Sequence, residues 1–486
     1  MIDRFKLPLP TLALVLACAA LPVSNASASA VLAAQQGRSC HLPGSEEALR
    51  CVSVTVPLDY ARPQAGRIAL HVTLAPAFRE AARPDPLFIL AGGPGEAGSD
   101  VLPLLNATFR KTRATRDIVF IDQRGTGRSG KLACEAKAGD ESLDEAQAEQ
   151  AALACLRGFK QTLSAYTTAH AAQDLERVRL ALGYGPVNLW GGSYGTRLAQ
   201  VYARAYPASV RALILDGVAA PGQVIPAGAR DSQAALDGLF RQCGADPGCA
   251  AAYPNLRAEF AGLLERVGRA PIELDVTNPR TAEPLHVSLN RRRFVGTVHA
   301  ILYSPLDSRR LPFLIHGAHQ GRWQPFIARS NVANDFSRDG GPGLGLYLAV
   351  TCAEDFPRLT PQLLVDDTRD AFMNRAEILR LAGLCQAIKV GPLPYLAPAT
   401  IGAPVLMLSG ALDPVTPPHR AVAAAGYMRR AQHFVVPNAG HGISQLGCAP
   451  RLLRVFLDQP ERPLAARCLN EIPAPPFLLR SAGPQP

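Results

Sequence analysis

Residues 187–197 read VNLWGGSYGTR. Val187, Asn188, Leu189 and Trp190 suit a buried strand, and the run TRLAQVYARAY that follows is compatible with a helix. Between them, Gly191-Gly192-Ser193-Tyr194-Gly195 must turn a strand sharply into a helix. So tight a turn crowds its neighbours, and only residues without a Cβ fit where the backbone doubles back. The serine is expected in strained geometry that lifts its Oγ above the sheet. It also sits at a helix N-terminus, where unpaired amides and the helix dipole favour developing negative charge. The five residues match G-x-S-x-G, which occurs by chance in many chains; the flanking strand and helix are the context that makes it a nucleophile elbow.

The alternation continues on both sides. Upstream, VSVTVPLDY, RIALHVTLAPA, PLFILAGG and DIVFIDQRGTG read as strands and AAQDLERVRLALG as a helix; VRALILDGV follows downstream. Continuous apolar strands alternating with amphipathic helices predict an α/β fold, a mostly parallel sheet covered on both faces. The pattern breaks near Pro221. Residues 222–398 are richer in short helical stretches and loops, such as SQAALDGLFRQC and LRAEFAGLLERV. Strands return with APVLMLSGALDP and QHFVVPNAGHG, separated by a helix over 418–430, and APRLLRVFLDQP closes the pattern as a helix. The expected organisation is a core in two parts, 31–221 and 399–486, with a helical cap inserted at 222–398.

Residues 1–30 read as a secretory leader. Arg4 and Lys6 precede an apolar run broken by prolines, and SNASASA offers small residues for cleavage near Ala28 or Ala30. The run is too short and broken for a membrane span. Lipidation at Cys18 is a minor alternative. The other ten cysteines form an even set without a C-x-x-C, which fits disulfides in an oxidising compartment better than zinc or redox chemistry. Nearest-neighbour pairing would give five local staples, although ten cysteines allow on the order of a thousand connectivities. Of the 486 residues 48% are hydrophobic and 19% charged, an ordinary globular balance. The net charge of +10 fits a solvated basic surface, and no nucleic-acid-binding signature accompanies it.

A serine needs a base, and the base a carboxylate to orient it. In the chain order Ser, acid, His, the candidate base is His441, on the Gly-flanked loop of VVPNAGHGI after a predicted strand. Asp413 closes the strand in LMLSGALDPVTP and is the preferred acid; Asp216, in LILDGV, competes but can be explained as bonding loop amides. Asp122, in DQRGTGRSG, reads as a loop anchor. A tetrahedral intermediate needs oxyanion donors, and Leu90-Ala91-Gly92-Gly93-Pro94-Gly95 ends the third strand. Pro94 has no N–H, so Gly93 and Tyr194 are the expected pair.

Taken together, AGGPGEAG, DQRGTGRSG, NLWGGSYGTRLAQ, TCAEDF, PVLMLSGALDPVTPP and VVPNAGHGI resemble the proline iminopeptidase/tripeptidyl aminopeptidase family of α/β-hydrolases, in particular exported members with a TAP-like C-terminal region. The pieces run in family order across nearly the whole mature chain. Ala91 departs from the histidine of the HGGPG found in the short iminopeptidases, which puts close kinship to proline-specific members in doubt. The resemblance implies an exported serine exopeptidase, without metal or cofactor, acting on short peptides with free N-termini beneath a helical roof. Such an enzyme must bind an ammonium group, and Glu354 and Asp355 in TCAEDF are the expected carboxylates. A carboxylesterase using the same triad is the nearest alternative, and a non-catalytic binding protein on a hydrolase scaffold a more distant one. Haloalkane dehalogenases and epoxide hydrolases carry Asp where this chain has Ser193.

Overall fold

The computed structural model describes Met1 and residues 37–134, 143–278, 282–334, 343–395 and 397–481. The leader read over 1–30, Met1 aside, and Cys18 with it lie outside the described residues. In chain order the strands are β1 (Arg38–Cys40), β2 (Leu49–Pro57), β3 (Arg67–Ala75), β4 (Leu87–Leu90), β5 (Ile118–Ile121), β6 (Val187–Gly192), β7 (Val210–Asp216), β8 (Ile272–Thr277), β9 (Pro284–Leu289), β10 (Ile401–Gly410) and β11 (Met428–Val436). Nine of them form one sheet in the order β1-β2-β3-β5-β4-β6-β7-β10-β11. From β5 to β11 every neighbouring pair is parallel, while β1, β2 and β3 pair antiparallel and join the rest through β3 and β5.

The sequence explains the division. β4 and β5 are buried along their whole length, and β6 and β7 nearly so, because helices cover both faces; their segments are accordingly continuous apolar runs. β2 alternates buried and exposed residues, as an antiparallel strand near the sheet edge does. One face packs Leu175 and Val178 of helix Thr168–Ala181 and Leu198 and Tyr202 of helix Tyr194–Ala205 against the sheet. The other packs Leu452, Leu453 and Phe456 of helix Ala449–Asp458. Arg116, fully buried, ties that helix down through Asp85, Asp458 and the Leu457 carbonyl.

Between β7 and β10 the chain builds an insertion with a core of its own, in which Phe260, Phe294 and Phe326 stack in series. It is mostly helical but also contains the antiparallel hairpin of β8 and β9, which sequence reading passed over. IELDVT and PLHVSL alternate for only about three apolar residues each, among charged ones, so their period is weak. The helix expected over 418–430 spans only Pro418–Ala425. Gly426 follows, and from Met428 the chain pairs with β10 instead. Ladder formation along β10 outweighs the helical propensity of MRRAQ.

All ten cysteines outside the leader form disulfides, each with its sequence neighbour: Cys40–Cys51, Cys134–Cys155, Cys243–Cys249, Cys352–Cys385 and Cys448–Cys468. Five such bonds are consistent with an oxidising, non-cytoplasmic environment. Among the described residues no helix is long and apolar enough to cross a membrane.

Candidate active site

Five loops leave the carboxyl ends of β4, β6, β7, β10 and β11, the edge where open parallel sheets gather ligands. The loop after β6 is the elbow. A Cβ on Gly195 would lie 2.0 Å from the Leu90 carbonyl oxygen, and one on Gly191 would lie 2.5 Å from that of Gly195. These glycines serve close backbone approach rather than unusual dihedrals. The strain falls on Ser193, at φ 53° and ψ −124°, a conformation that costs about 1–3 kcal/mol. Its amide donates to the Asp216 carbonyl at 2.9 Å. Its carbonyl accepts from the Thr196 hydroxyl at 2.6 Å, which in turn accepts from the Ala219 amide.

After β4, Gly93 and Gly95 have φ of +99° and +114° and flank the cis Gly93–Pro94 bond. The Gly92 amide donates to Glu96 Oε2 at 2.8 Å, so it is already engaged; the next amide along is that of Gly93. Tyr194 is the first residue of its helix, where the N–H has no intrahelical acceptor. Its phenol packs away from the loop, bonded to the Thr168 hydroxyl at 2.7 Å.

The loops after β10 and β11 bring Asp413 and His441 together, with His441 Nδ1 2.8 Å from Asp413 Oδ2. The carboxylate is saturated. Oδ1 accepts from the Val415 and Thr416 amides at 2.9 and 2.8 Å, and Oδ2 also accepts from the Thr416 hydroxyl at 2.7 Å. That hydroxyl is itself 3.1 Å from His441 Nδ1. Burial alone would push the Asp413 carboxyl up, but His441 and the Thr416 and Val415 amides hold it below its ordinary value. The imidazole mirrors this. Burial pushes it down, but the charge and hydrogen bond of Asp413, with the charges of Asp216 and Glu96, bring it above the ordinary 6.5.

The insertion braces the His441 loop. The His441 amide donates to the Tyr303 carbonyl at 2.8 Å, and the Tyr303 ring meets the imidazole edge to face, centroids 5.1 Å apart. A Cβ on Gly440 would come within 2.5 Å of that carbonyl, and one on Gly217 within 2.9 Å of His441 Cε1. Asp216 does not touch the imidazole's nitrogens. Its carboxylate accepts from the Ile443 and Ser444 amides, holding the same loop from below. Asp122 likewise anchors a loop, through the Ser99 amide and hydroxyl and the Arg128 amide.

Glu354 and Asp355 are placed otherwise than a free ammonium site requires. Asp355 is fully buried and accepts from Arg197 at 3.0 Å and Arg358 at 2.6 Å, so its charge is already matched. Glu354 accepts from the amide and hydroxyl of Thr168, both at 2.7 Å, at the N-terminus of helix Thr168–Ala181. Two contacts went unread in the sequence: the Thr416 hydroxyl, signalled only by its place three residues after Asp413, and Glu96, an isolated acid among glycines. Among the described residues no three His, Cys, Asp or Glu side chains converge as a metal site requires.

Comparison with known proteins agrees with the fold. Residues 85–265 match the alpha/beta hydrolase fold family and residues 369–468 the TAP-like protein family. The chain is 27% identical over 420 residues to serine protease Hip1 of Mycobacterium tuberculosis, spanning 78% of this chain and 79% of that protein. It is 31% identical over 194 residues to the tripeptidyl aminopeptidase of Streptomyces coelicolor, 36% of either chain. With the probable proline iminopeptidase of the same organism it shares 37% over 134 residues, 28% of this chain and 33% of that one. The chain has the α/β-hydrolase fold with a C-terminal TAP-like domain and is homologous to the proline iminopeptidase, tripeptidyl aminopeptidase and serine protease group.

Proposed function

We propose that this protein is an exported serine aminopeptidase that works through an acyl-enzyme on Ser193. The observation that carries the reading is the bond of 2.8 Å between His441 and the buried Asp413, on adjacent loops beside a strained serine. Neutral His441 takes the Ser193 proton as the hydroxyl attacks the scissile carbonyl. The amides of Gly93 and Tyr194 hold the oxyanion, and Asp413 stabilises the imidazolium. The imidazolium then protonates the leaving amine, and a water activated by the same His441 releases the acyl group.

A preference for free N-termini is supported by the likeness to aminopeptidases. Asp355 and Glu354 serve this reading as ties between the insertion and the sheet domain, and the ammonium is met elsewhere. Export is supported by the leader-like reading of the first thirty residues together with the five disulfides.

The test is a pair of substrates, an aminoacyl arylamide and its N-acetyl form, with wild type and Ser193→Ala. Wild type is expected to cleave the free form preferentially and the variant neither. Equal rates on both forms would refute the aminopeptidase, and hydrolysis of acyl esters alone would make the protein a carboxylesterase. Full activity in Ser193→Ala would refute the nucleophile.

A further inference from the structure

The carboxylates around the site divide by what they already hold. Asp413 is saturated by four donors, Asp216 by loop amides, Asp355 by two arginines, and Glu354 by Thr168. Glu96 is different. Its Oε2 takes the Gly92 amide, and Oε1 has no hydrogen-bond partner among the described residues. Burial pushes its carboxyl above the ordinary value, opposed by the Gly92 amide and by His441 and reinforced by the charge of Asp100, so a cation brought to it is what would favour its charged form. A Cβ placed on Gly92 would touch both Ser193 Cβ, at 3.0 Å, and Glu96 Oε2, at 3.2 Å. The serine side chain and the carboxylate thus both border the space beside Gly92 that a side chain there would occupy.

We propose that Glu96 recognises the α-ammonium of the residue whose carbonyl Ser193 attacks, and that the enzyme therefore removes single N-terminal residues. This rests on Ser193 being the nucleophile. In an aminoacyl substrate the ammonium stands two bonds from the attacked carbon, within the gap that Glu96 borders. In a tripeptidyl substrate it lies about 7 Å further out, since each extended residue adds about 3.3–3.6 Å. A carboxylate so close to the serine matches the short spacing and not the long one. Glycine at 92 suits it: a side chain there would press on both Ser193 Cβ and Glu96 Oε2 and fill the space the ammonium needs.

The experiment uses Glu96→Gln, which keeps an oxygen for the Gly92 amide and removes the charge. Three measurements are made on wild type and variant: labelling of Ser193 by a fluorophosphonate, kcat/KM on an aminoacyl arylamide, and kcat/KM on a neutral acyl ester. A charge-assisted hydrogen bond is worth about 10- to 100-fold. The ratio of arylamide to ester turnover is expected to fall by that amount, mainly through KM. An unchanged ratio, with both activities falling together, means that Glu96 only braces the loop and overturns the inference. Preferential release of tripeptides by the wild type also overturns it. Absence of fluorophosphonate label on wild-type Ser193 refutes the nucleophile itself, and the inference with it, so the two failures are distinguishable.

Discussion

Replacing Asp413 by Asn exchanges one oxygen for an NH2 and turns an acceptor into a donor at that position. In the native site Oδ1 faces two backbone amides, from Val415 and Thr416, and both can only donate. The asparagine oxygen must therefore take the Oδ1 position, which puts the NH2 where Oδ2 stands, 2.8 Å from His441 Nδ1. Two donors cannot face one another. The imidazole then keeps Nδ1 unprotonated as an acceptor and carries its proton on Nε2, the nitrogen that must accept from Ser193. The Thr416 hydroxyl, 3.1 Å from the same Nδ1, can turn to donate and reinforce the wrong tautomer. The expected loss in kcat is ~10⁴-fold, or about 5.5 kcal/mol of barrier. The fold should survive, because the shape and both backbone-amide bonds are retained, and the contacts to Thr416 Oγ1 and His441 Nδ1 can re-form with the NH2 as donor. Steady-state kinetics on an aminoacyl arylamide and fluorophosphonate labelling rates read the loss; circular dichroism confirms folding. A folded variant that keeps more than a tenth of wild-type kcat would refute the assignment of Asp413 as the orienting acid.

The pH profile tests the same pair. His441 is held above 6.5 by Asp413, Asp216 and Glu96 against the opposing pull of burial, and only its neutral form can act as base. Activity should therefore rise with pH through a midpoint above 6.5, read as kcat/KM on a neutral ester so that no substrate amine titrates. A midpoint at or below 6.5 contradicts the geometry. Away from the site, Asp174→Ala leaves the buried Arg124 guanidinium without its two bonds of 2.6 and 2.7 Å, at a cost of about 3–5 kcal/mol. Thermal unfolding should move down by on the order of 10 °C. The double variant with Arg124→Met should recover part of this, and a single-variant shift under about 2 °C would show the pair to be dispensable.

The sheet is legible in the sequence because its central strands are covered on both faces, which turns them into unbroken apolar runs such as PLFIL and VRALIL. Ser193, Asp413 and His441 stand out for a related reason. Each ends a strand or follows one closely, so chain order and local pattern suffice to nominate it. The hairpin of β8 and β9 escapes because its strands are short and only one face is buried. The disulfides follow sequence order because each closes a short loop, between 6 and 33 residues.

The carboxylates of TCAEDF show where such reading ends. Glu354 and Asp355 sit in a conspicuous motif, but a carboxylate's role is set by what it faces, and their partners Thr168, Arg197 and Arg358 come from three separate stretches of chain. Glu96 attracts no notice in sequence and becomes conspicuous only when the loop after β4 is laid beside the elbow. The same holds for the insertion. The family resemblance presents it as a roof over the site, yet its Tyr303 carbonyl takes the His441 amide and its Gly343 amide binds the Gly95 carbonyl in the proposed oxyanion loop. It thus grips the His441 loop and the loop after β4 from one side, while the sheet holds both from the other. Displacing the insertion would therefore disturb bond-making geometry and not merely access. Its contribution to rate should appear in kcat as well as in KM, because two of the five loops that build the site end on it.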